Sequence, residues 1–285
     1  MNFIEKACVT IRHSPRLATA GWLWNAARPL YDSVINTIGC RGLPRVMNGA
    51  DHILIDAKYR GLGEVYEPDV WRHLMSNVKP GDVIADVGAH IGLYTVALAK
   101  RVGPHGRVVA FEPDKKTLSD LRRHIQLNQV ATVAEAVGAA VAACDGQIGF
   151  TCDQDTQNRI ALERTPVDSN VPAVRLDSFF KRGQLDILKV DVEGFEEDVL
   201  KGGEELLSDR FRAPRLIYLE VHPYNWVLCG TTSESLLRRL HDANYEVETP
   251  GWEPCRNICR YGEVIAHRTI SEAKRKALNA EPWVE

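Results

Sequence analysis

The sequence predicts a doubly wound, mostly parallel α/β sheet, and three observations support this fold class. From about residue 51 onwards, short runs rich in β-branched residues alternate with longer segments of helical period. Several of these runs are apolar at nearly every position, as parallel strands covered on both faces are. The runs end in glycine or in acidic residues, at the edge where open α/β sheets bind their ligands.

Seven strands follow from this pattern, five parallel and two closing the sheet as an antiparallel hairpin. We predict parallel strands over 83–87, 108–111, 133–137, 187–190 and 216–221, and hairpin strands over 245–249 and 263–268. Helices are predicted over 93–101, 115–128, 196–207 and 233–243, the last capped by Ser233. Because 45% of the 285 residues are hydrophobic, one elaborated domain with a full core is expected.

Residues 1–50 are predicted to form an N-terminal helical extension, which precedes a main domain over residues 51–285. Apolar residues, among them Trp22 and Trp24, recur there at helical spacing between prolines. Three interpretations stay open: a packing extension over one face of the core, a lid over a ligand site, or docking on a membrane surface through the two tryptophans.

Composition narrows the location and the partners. The first residues lack the uninterrupted apolar run of a signal peptide, and no stretch approaches the roughly twenty apolar residues of a transmembrane helix. The seven scattered cysteines are typical of a reducing compartment, so a cytoplasmic protein without a transmembrane segment is expected. A net charge of -3 disfavours nucleic acid as a partner and leaves a small molecule or a glycan.

A glycine-rich turn follows the first predicted strand and leads into a helix, in the order Asp86-Val87-Gly88-Ala89-His90-Ile91-Gly92. The two glycines allow a tight turn close to a ligand, and the free amides at the start of the helix favour a carboxylate. The spacing of these glycines differs from the G-x-G-x-x-G pattern, which disfavours a nicotinamide dinucleotide.

An acidic residue ends the second predicted strand, in Phe111-Glu112-Pro113. A carboxylate there is suited to accept hydrogen bonds from both ribose hydroxyls of a nucleoside. The alternative is an ordinary acid at a helix start, since Pro113 and Asp114 also resemble a helix entry.

Polar side chains also end the last two parallel strands. Lys189, Asp191 and Glu193 alternate to one face, and Glu220 and His222 share a face of the next strand. If these strands are neighbours, the two groups stand opposite each other and suit acid–base chemistry. The structural alternatives are a lysine–carboxylate pair that fixes the turn, and a histidine that is satisfied at a strand end.

These motifs resemble the FkbM-type methyltransferases that depend on S-adenosylmethionine. The residues that carry the resemblance are Tyr66-Glu67-Pro68, Trp71, Gly81-Asp82, the turn from Asp86 to Gly92, Phe111-Glu112-Pro113, Asn128, Leu176-Asp177, Asp186-Ile187-Leu188-Lys189-Val190-Asp191-Val192-Glu193-Gly194, Val199-Leu200-Lys201-Gly202 and Leu219-Glu220-Val221-His222. They occur in the family's order between about residues 60 and 245. His90 departs from the pattern, because asparagine is more usual there.

The resemblance implies a Rossmann-like, class I methyltransferase fold and methyl transfer to a hydroxyl oxygen of a sugar or glycosylated metabolite. The cofactor residues are then Asp86, Gly88, His90, Gly92, Tyr94, Thr95, Glu112 and Pro113. The catalytic candidates are His222, Asp191, Lys189, Glu193 and Glu220. His222 or Asp191 is the expected base that takes the proton of the acceptor hydroxyl.

Three alternatives stay open beside this interpretation. Asp191, Glu193, Glu220 and His222 offer ligands to a divalent ion such as Mg²⁺, although no metal is assigned here. A non-catalytic module that binds S-adenosylmethionine needs the turn and Glu112 but no acid–base cluster. A nicotinamide-dependent oxidoreductase is the third alternative, on a similar fold.

Overall fold

A seven-stranded sheet forms the centre of the computed structural model, which describes residues 39–151, 159–160 and 169–269 together with Pro29. Its strands are β3 (Val83–Val87), β4 (Arg107–Phe111), β5 (Ala134–Val137), β10 (Ile187–Asp191), β11 (Leu216–Val221), β12 (Tyr245–Glu248) and β13 (Gly262–Arg268). The order across the sheet is β12-β13-β11-β10-β3-β4-β5. Five strands are parallel, and β13 runs antiparallel to both neighbours, β11 and β12. The predicted class I, Rossmann-like fold is confirmed.

The chain order of the strands reverses between β3 and β10. Strands β3, β4 and β5 extend the sheet to one side, and β10 and β11 then extend it to the other. At such a reversal the connections leave in opposite directions, and a crevice opens beyond the carboxyl ends of the strands. The fold therefore places its main crevice where β3 and β10 end.

Helices cover both faces of the sheet. They are α1 (Pro68–Asn77), α2 (Leu93–Val102), α3 (Lys115–Leu127), α4 (Leu176–Phe179), α5 (Glu196–Lys201), α6 (Glu204–Ser208), α7 (Pro223–Cys229) and α8 (Ser233–Asp242). Two large hydrophobic clusters result, one centred on α2 and the other packed beneath α5, α6 and α8. Within the described ranges, no helix combines the length and the apolar character that crossing a bilayer requires.

Two small sheets, which the sequence patterns did not predict, accompany the main one. Strands β1 (Leu43–Met47) and β2 (Asp51–Ile55) form an antiparallel hairpin. Strands β6 (Ala140–Val141), β7 (Gly146–Thr151), β8 (Arg159–Ile160) and β9 (Ser169–Val174) form a sheet in the order β6-β9-β7-β8.

Side chains of α3 and its cap bind the outer backbone of β2. The Asn128 side chain accepts a hydrogen bond from the Leu54 N–H at 2.8 Å and donates one to the Leu54 carbonyl at 2.7 Å. Just beyond β2, the Asp56 N–H donates to His124 Nε2 at 2.8 Å. The hairpin is thus held to α3 through its backbone.

Three predicted elements differ from the structure. The helix predicted over 196–207 is two helices, because Gly202 ends α5 and Gly203 caps α6. The Asp177 carboxylate accepts hydrogen bonds from the N–H groups of Glu205 and Leu206 in the first turn of α6. The cap of α8 is Thr232 rather than Ser233. The last part of the predicted N-terminal helical extension contains the strand β1. The hairpin of β1 and β2 crosses the boundary expected at residue 50. Residues 1–38, except for Pro29, lie outside the described residues.

Candidate functional site

A cavity of about 430 Å³ lies at the crevice between β3 and β10. Its walls come from the ends of β3, β4, β10 and β11, from the segment before α1 and from the loop before β13. The lining residues include Tyr66, Glu67, Gly88, His90, Ile91, Leu93, Phe111, Glu112, Pro113, Ala139, Val141, Asp191, Glu193, Glu220 and Tyr261. This volume is within the range of small-molecule sites.

The glycine-rich turn is shaped by close backbone contact with β10. Gly88 has a φ of 79°, and a Cβ atom at this position would lie 1.7 Å from the carbonyl oxygen of Asp191. The amides of residues 88, 89, 90 and 92 all have acceptors within the chain, such as the Phe111 carbonyl, which accepts from Gly88 and Ala89. The first turn of α2 leaves its amides without an acceptor in the helix, as any helix start does, and Leu93 of this turn lines the cavity.

Replacing Gly88 by alanine is expected to lower the free energy of unfolding by about 2 to 5 kcal/mol, from the left-handed backbone and the overlap with Asp191 together. Gly230→Ala is the matched control, because Gly230 has a φ of 69° but nothing within 4 Å of its Cβ position. The control isolates the backbone contribution of about 1 to 2 kcal/mol. Urea unfolding of both variants measures the difference, and equal losses would contradict the close contact.

Glu112 presents a buried carboxylate to the cavity. Its Oε2 accepts a hydrogen bond from the His90 N–H at 3.0 Å, and its Oε1 accepts one from the Asp114 N–H at 2.9 Å. Burial raises the pKa of Glu112 to about 7, although these two N–H groups lower it. Because each carboxylate oxygen has a second lone pair, Glu112 can accept two further hydrogen bonds from a ligand.

A buried charge pair lies beneath the cavity floor. Asp86 is fully buried, and its Oδ2 accepts a hydrogen bond from Thr95 Oγ1 at 2.6 Å. Lys189 on β10 is the register neighbour of Asp86 on β3. The Nζ atom of Lys189 lies 3.6 Å from Asp191 Oδ2 and 4.6 Å from the centroid of the Tyr94 ring. Burial lowers the pKa of Lys189, but Asp191, Asp86 and further carboxylates outweigh it, so the pKa is raised and the ammonium is kept.

Glu67 is an acidic group of the cavity that the sequence reasoning did not select. It precedes α1 with a φ of 39°, an unusual conformation for a residue with a Cβ atom. Its Oε2 accepts a hydrogen bond from Tyr94 Oη at 2.7 Å. The backbone conformation of Glu67 depends on the fold and could not be predicted from the sequence. In the sequence, only the Tyr66-Glu67-Pro68 motif indicated this residue.

His222 is held by a fully buried glutamate. Its Nδ1 lies 2.8 Å from Glu196 Oε1, while Glu196 also accepts hydrogen bonds from the Gly194 N–H and Trp226 Nε1. With Nδ1 as the donor to Glu196, Nε2 faces Glu193 and Glu220, at 3.6 and 3.9 Å. Although burial lowers the pKa of His222, the hydrogen bond to Glu196 and the nearby carboxylates raise it overall.

Two tyrosines hold the carboxylates in front of His222. Tyr224 Oη donates to Glu193 Oε2 at 3.2 Å, and Tyr261 Oη donates to Glu220 Oε1. Burial and the nearby Asp191 raise the pKa of Glu220 to about 8, and burial raises the pKa of Glu193. No sequence pattern pointed to Tyr261, because it lies in an irregular segment 39 residues or more from the strand-end groups.

The structure brings most of the predicted site residues together. Lining residues among them are Gly88, His90, Glu112, Pro113, Asp191, Glu193 and Glu220. Asp86, Gly92, Tyr94, Thr95, Lys189 and His222 do not line the cavity but lie behind its wall. Among these, Asp86 and Thr95 bond to each other and Tyr94 donates to Glu67. The cofactor contacts expected of Asp86, Gly92, Tyr94 and Thr95 stay predictions.

Asp191, Glu193 and His222 could also reach one metal ion, since their ligand atoms lie within 4.8 Å of one another. The same carboxylates already have two buried cationic partners, Lys189 and, when protonated, His222. Charge compensation of this kind makes a metal unnecessary for the stability of the cluster, and we assign none.

The chain matches one known protein family and resembles several methyltransferases. Residues 86–247 match the methyltransferase FkbM domain. The chain is 24% identical over 185 residues to hexuronic acid methyltransferase AglP of Haloferax volcanii, which covers 64% of this chain and 71% of that protein. It is 29% identical over 144 residues to Methyltransferase 1 of Beauveria bassiana, covering 42% of this chain and 57% of that relative.

A solved structure of methyltransferase FkbM from Methylobacillus flagellatus is also similar, with 18% identity and a TM-score of 0.44. That match covers 66% of this chain and 43% of the other chain. The chain thus spans only part of the length of these known proteins.

Proposed function

The chain belongs to the FkbM methyltransferase family and depends on S-adenosylmethionine, and from this membership we propose that it methylates a hydroxyl oxygen of a sugar or another small polar acceptor. The observation that supports the acceptor chemistry is the acidic cluster around His222. Asp191, Glu193 and Glu220 lie at the ends of β10 and β11, and β3 separates them in the sheet from Glu112 at the end of β4. Nucleoside and acceptor groups therefore have separate binding surfaces in this proposal.

The cavity fits S-adenosylmethionine on its Glu112 side. Glu112 has lone pairs for the two ribose hydroxyls, and the apolar lining from Phe111, Ala139 and Val141 suits an adenine ring. The first turn of α2 is suited to the methionine carboxylate through its amides. When bound, the cofactor supplies an electrophilic methyl group on a sulfonium.

His222 is the base in this proposal, and Glu196 is its positioning residue. Glu196 fixes the proton on Nδ1, which leaves the lone pair of Nε2 directed at the carboxylates that line the cavity. An acceptor hydroxyl between Glu193 and Glu220 would give its proton to Nε2 as its oxygen took the methyl group, which bound S-adenosylmethionine would supply while leaving as the neutral thioether. Removal of this proton contributes about 10²- to 10⁴-fold to the rate.

The remaining groups of the site orient the acceptor or compensate the negative charge of the carboxylates. Asp191, the second base candidate, lies beside the Lys189 ammonium and is better suited to hold an acceptor hydroxyl than to take a proton. Glu193 and Glu220 are fixed by tyrosines and accept further hydroxyl hydrogen bonds. The ammonium of Lys189, beneath the cavity floor, compensates the negative charge of the carboxylates.

The relatives support a sugar-like acceptor. The name of the Haloferax volcanii protein specifies a hexuronic acid as what it methylates. Family membership leaves no role for a nicotinamide, and the acid–base cluster favours an enzyme over a non-catalytic binding module. The cytoplasmic location and the absence of a nucleic-acid partner stay predictions from the sequence.

A labelled-methyl assay tests the proposed function. The purified chain is incubated with methyl-labelled S-adenosylmethionine and a panel of glycosides, and the products are treated with alkali and then with acid. Methyl ethers survive both treatments, whereas methyl esters release methanol in alkali. Label in a stable ether supports the proposal, and label found only in esters or amines contradicts it.

Cofactor affinity is expected to weaken at low pH. Protonation of Glu112 removes lone pairs that the ribose hydroxyls need, and the pKa of Glu112 is about 7. Between pH 8 and pH 6 the Kd for S-adenosylhomocysteine should therefore rise about tenfold. Calorimetry at both pH values measures this rise, and Glu112→Gln should remove the pH dependence. A slope that persists in the variant would assign the titration to another group.

A further inference from the structure

The acceptor side of the cavity is lined by acids, and the cations that balance them lie behind. Asp191, Glu193 and Glu220 face the cavity. Lys189 is 4% exposed and His222 is 2% exposed. Along the described part of this wall, no lysine or arginine lines the cavity. A ligand therefore meets carboxylate oxygens first.

A carboxylate accepts hydrogen bonds through both oxygens, and even a protonated carboxyl group has only one O–H to donate. Hydroxyl and ammonium groups complement such a wall, because each donates a hydrogen. An acidic group on the acceptor cannot donate when ionised, and it adds a like charge to a cluster that is already crowded. The crowding is visible in Glu193 and Glu220, whose pKa values are raised by burial and, for Glu220, by Asp191.

We propose that this wall selects acceptors whose reacting ring carries only hydrogen-bond donors, which are neutral or amino sugars, and rejects sugar acids. The proposal rests on the methylation of a hydroxyl oxygen proposed above. Charge elsewhere on the acceptor, such as a phosphate on another ring, is outside the reach of the wall.

The first test uses the acceptors of the cell rather than a chosen compound. The full chain and methyl-labelled S-adenosylmethionine are added to a glycan-containing extract of cells that produce the protein. Acid hydrolysis then releases monosaccharides with their methyl ethers intact, and anion exchange at neutral pH separates sugar acids from all other sugars. Label is expected in the unretained sugars.

The outcomes separate the two proposals. Label in an O-methylated sugar acid overturns the selectivity while leaving transfer to hydroxyl oxygen intact. A lack of acid-stable label in every sugar fraction overturns the proposed function, and the selectivity with it.

The second test compares one neutral glycoside with the glycoside of the corresponding uronic acid. We expect kcat/KM to favour the neutral compound by at least about 100-fold, and Glu193→Gln or Glu220→Gln to narrow this ratio by about tenfold. Glu246→Gln, at an exposed position on β12, is the matched control and should leave the ratio unchanged. A ratio that stays constant in both cavity variants contradicts the role of the wall, even where kcat itself has fallen.

Discussion

Replacing His222 by alanine is expected to lower kcat by about 10²- to 10⁴-fold while the Kd for S-adenosylmethionine stays unchanged. The reason is the position of the ring, which lies behind Glu193 and Glu220 and away from Glu112. Single-turnover kinetics and calorimetry measure the two quantities separately. Full turnover in the variant would exclude His222 as the base.

The pH profile adds a control that a purely structural effect does not reproduce. A base must be neutral to accept a proton, and the pKa of His222 is raised above its ordinary value by Glu196 and the nearby carboxylates. In the native protein kcat should therefore rise with pH and level off only above about pH 6.5. Glu196→Gln stabilises the protonated His222 ring less and should move the rise of kcat to lower pH. His222→Ala should abolish this rise.

Replacing Glu112 by alanine is expected to raise the Kd for S-adenosylmethionine by about 10²- to 10⁴-fold. Two charge-assisted hydrogen bonds to ribose are lost, each worth about 1.5 to 3 kcal/mol. A thermal-shift experiment with S-adenosylhomocysteine measures the effect, because ligand at ~100 times its Kd stabilises the native protein by about 2.7 kcal/mol. The variant should show no such shift at the same concentration.

The control for Glu112 concerns the turn that it supports. Alanine also leaves the N–H groups of His90 and Asp114 without their acceptor, so part of the loss reflects a looser turn. Glu112→Gln keeps a carbonyl oxygen for only one of these two N–H groups and should unfold at a temperature between those of Glu112→Ala and the native protein. Glu135→Gln, on the exposed side of β5, tests for loss of charge alone and should bind normally. Native affinity in Glu112→Ala would remove the ribose assignment.

The main sheet was predictable because its signal is local. Strands buried on both faces are apolar throughout, and the predicted bounds of β3 and β11 agree with the structure. The break between α5 and α6 falls at Gly202-Gly203, a local signal that the predicted single helix passed over. The hydrogen bonds that Asp177 accepts from α6 come from another part of the chain and could not be predicted in this way. Strands as short as β6 and β8 carry too few residues for any period to show.

Candidate site residues at strand ends were predictable from the sequence. Those whose role depends on tertiary packing were not. Asp191 and Glu220 followed from alternation along two strands, and their adjacency needed only that β10 and β11 be neighbours. Glu193 lies beyond the end of β10 with a φ of 51°, so the strand alternation predicted for it is wrong although it lines the cavity. Glu196 resembles an ordinary acid of a helix start in the sequence. Its burial against His222 and Trp226, which makes it a positioning residue, arises from the fold.

The contact of Asn128 with β2 has a consequence for association between molecules. An unpaired strand edge offers its amides and carbonyls to any extended chain that meets it. Side chains of α3 and its cap already bind the N–H and carbonyl of Leu54 and the N–H of Asp56. A foreign strand therefore cannot form its backbone hydrogen bonds with these groups. Asn128 and His124 thereby protect the outer edge of β2 from strand addition. An apolar residue of the same size at position 128 would leave the N–H and carbonyl of Leu54 open to a foreign strand.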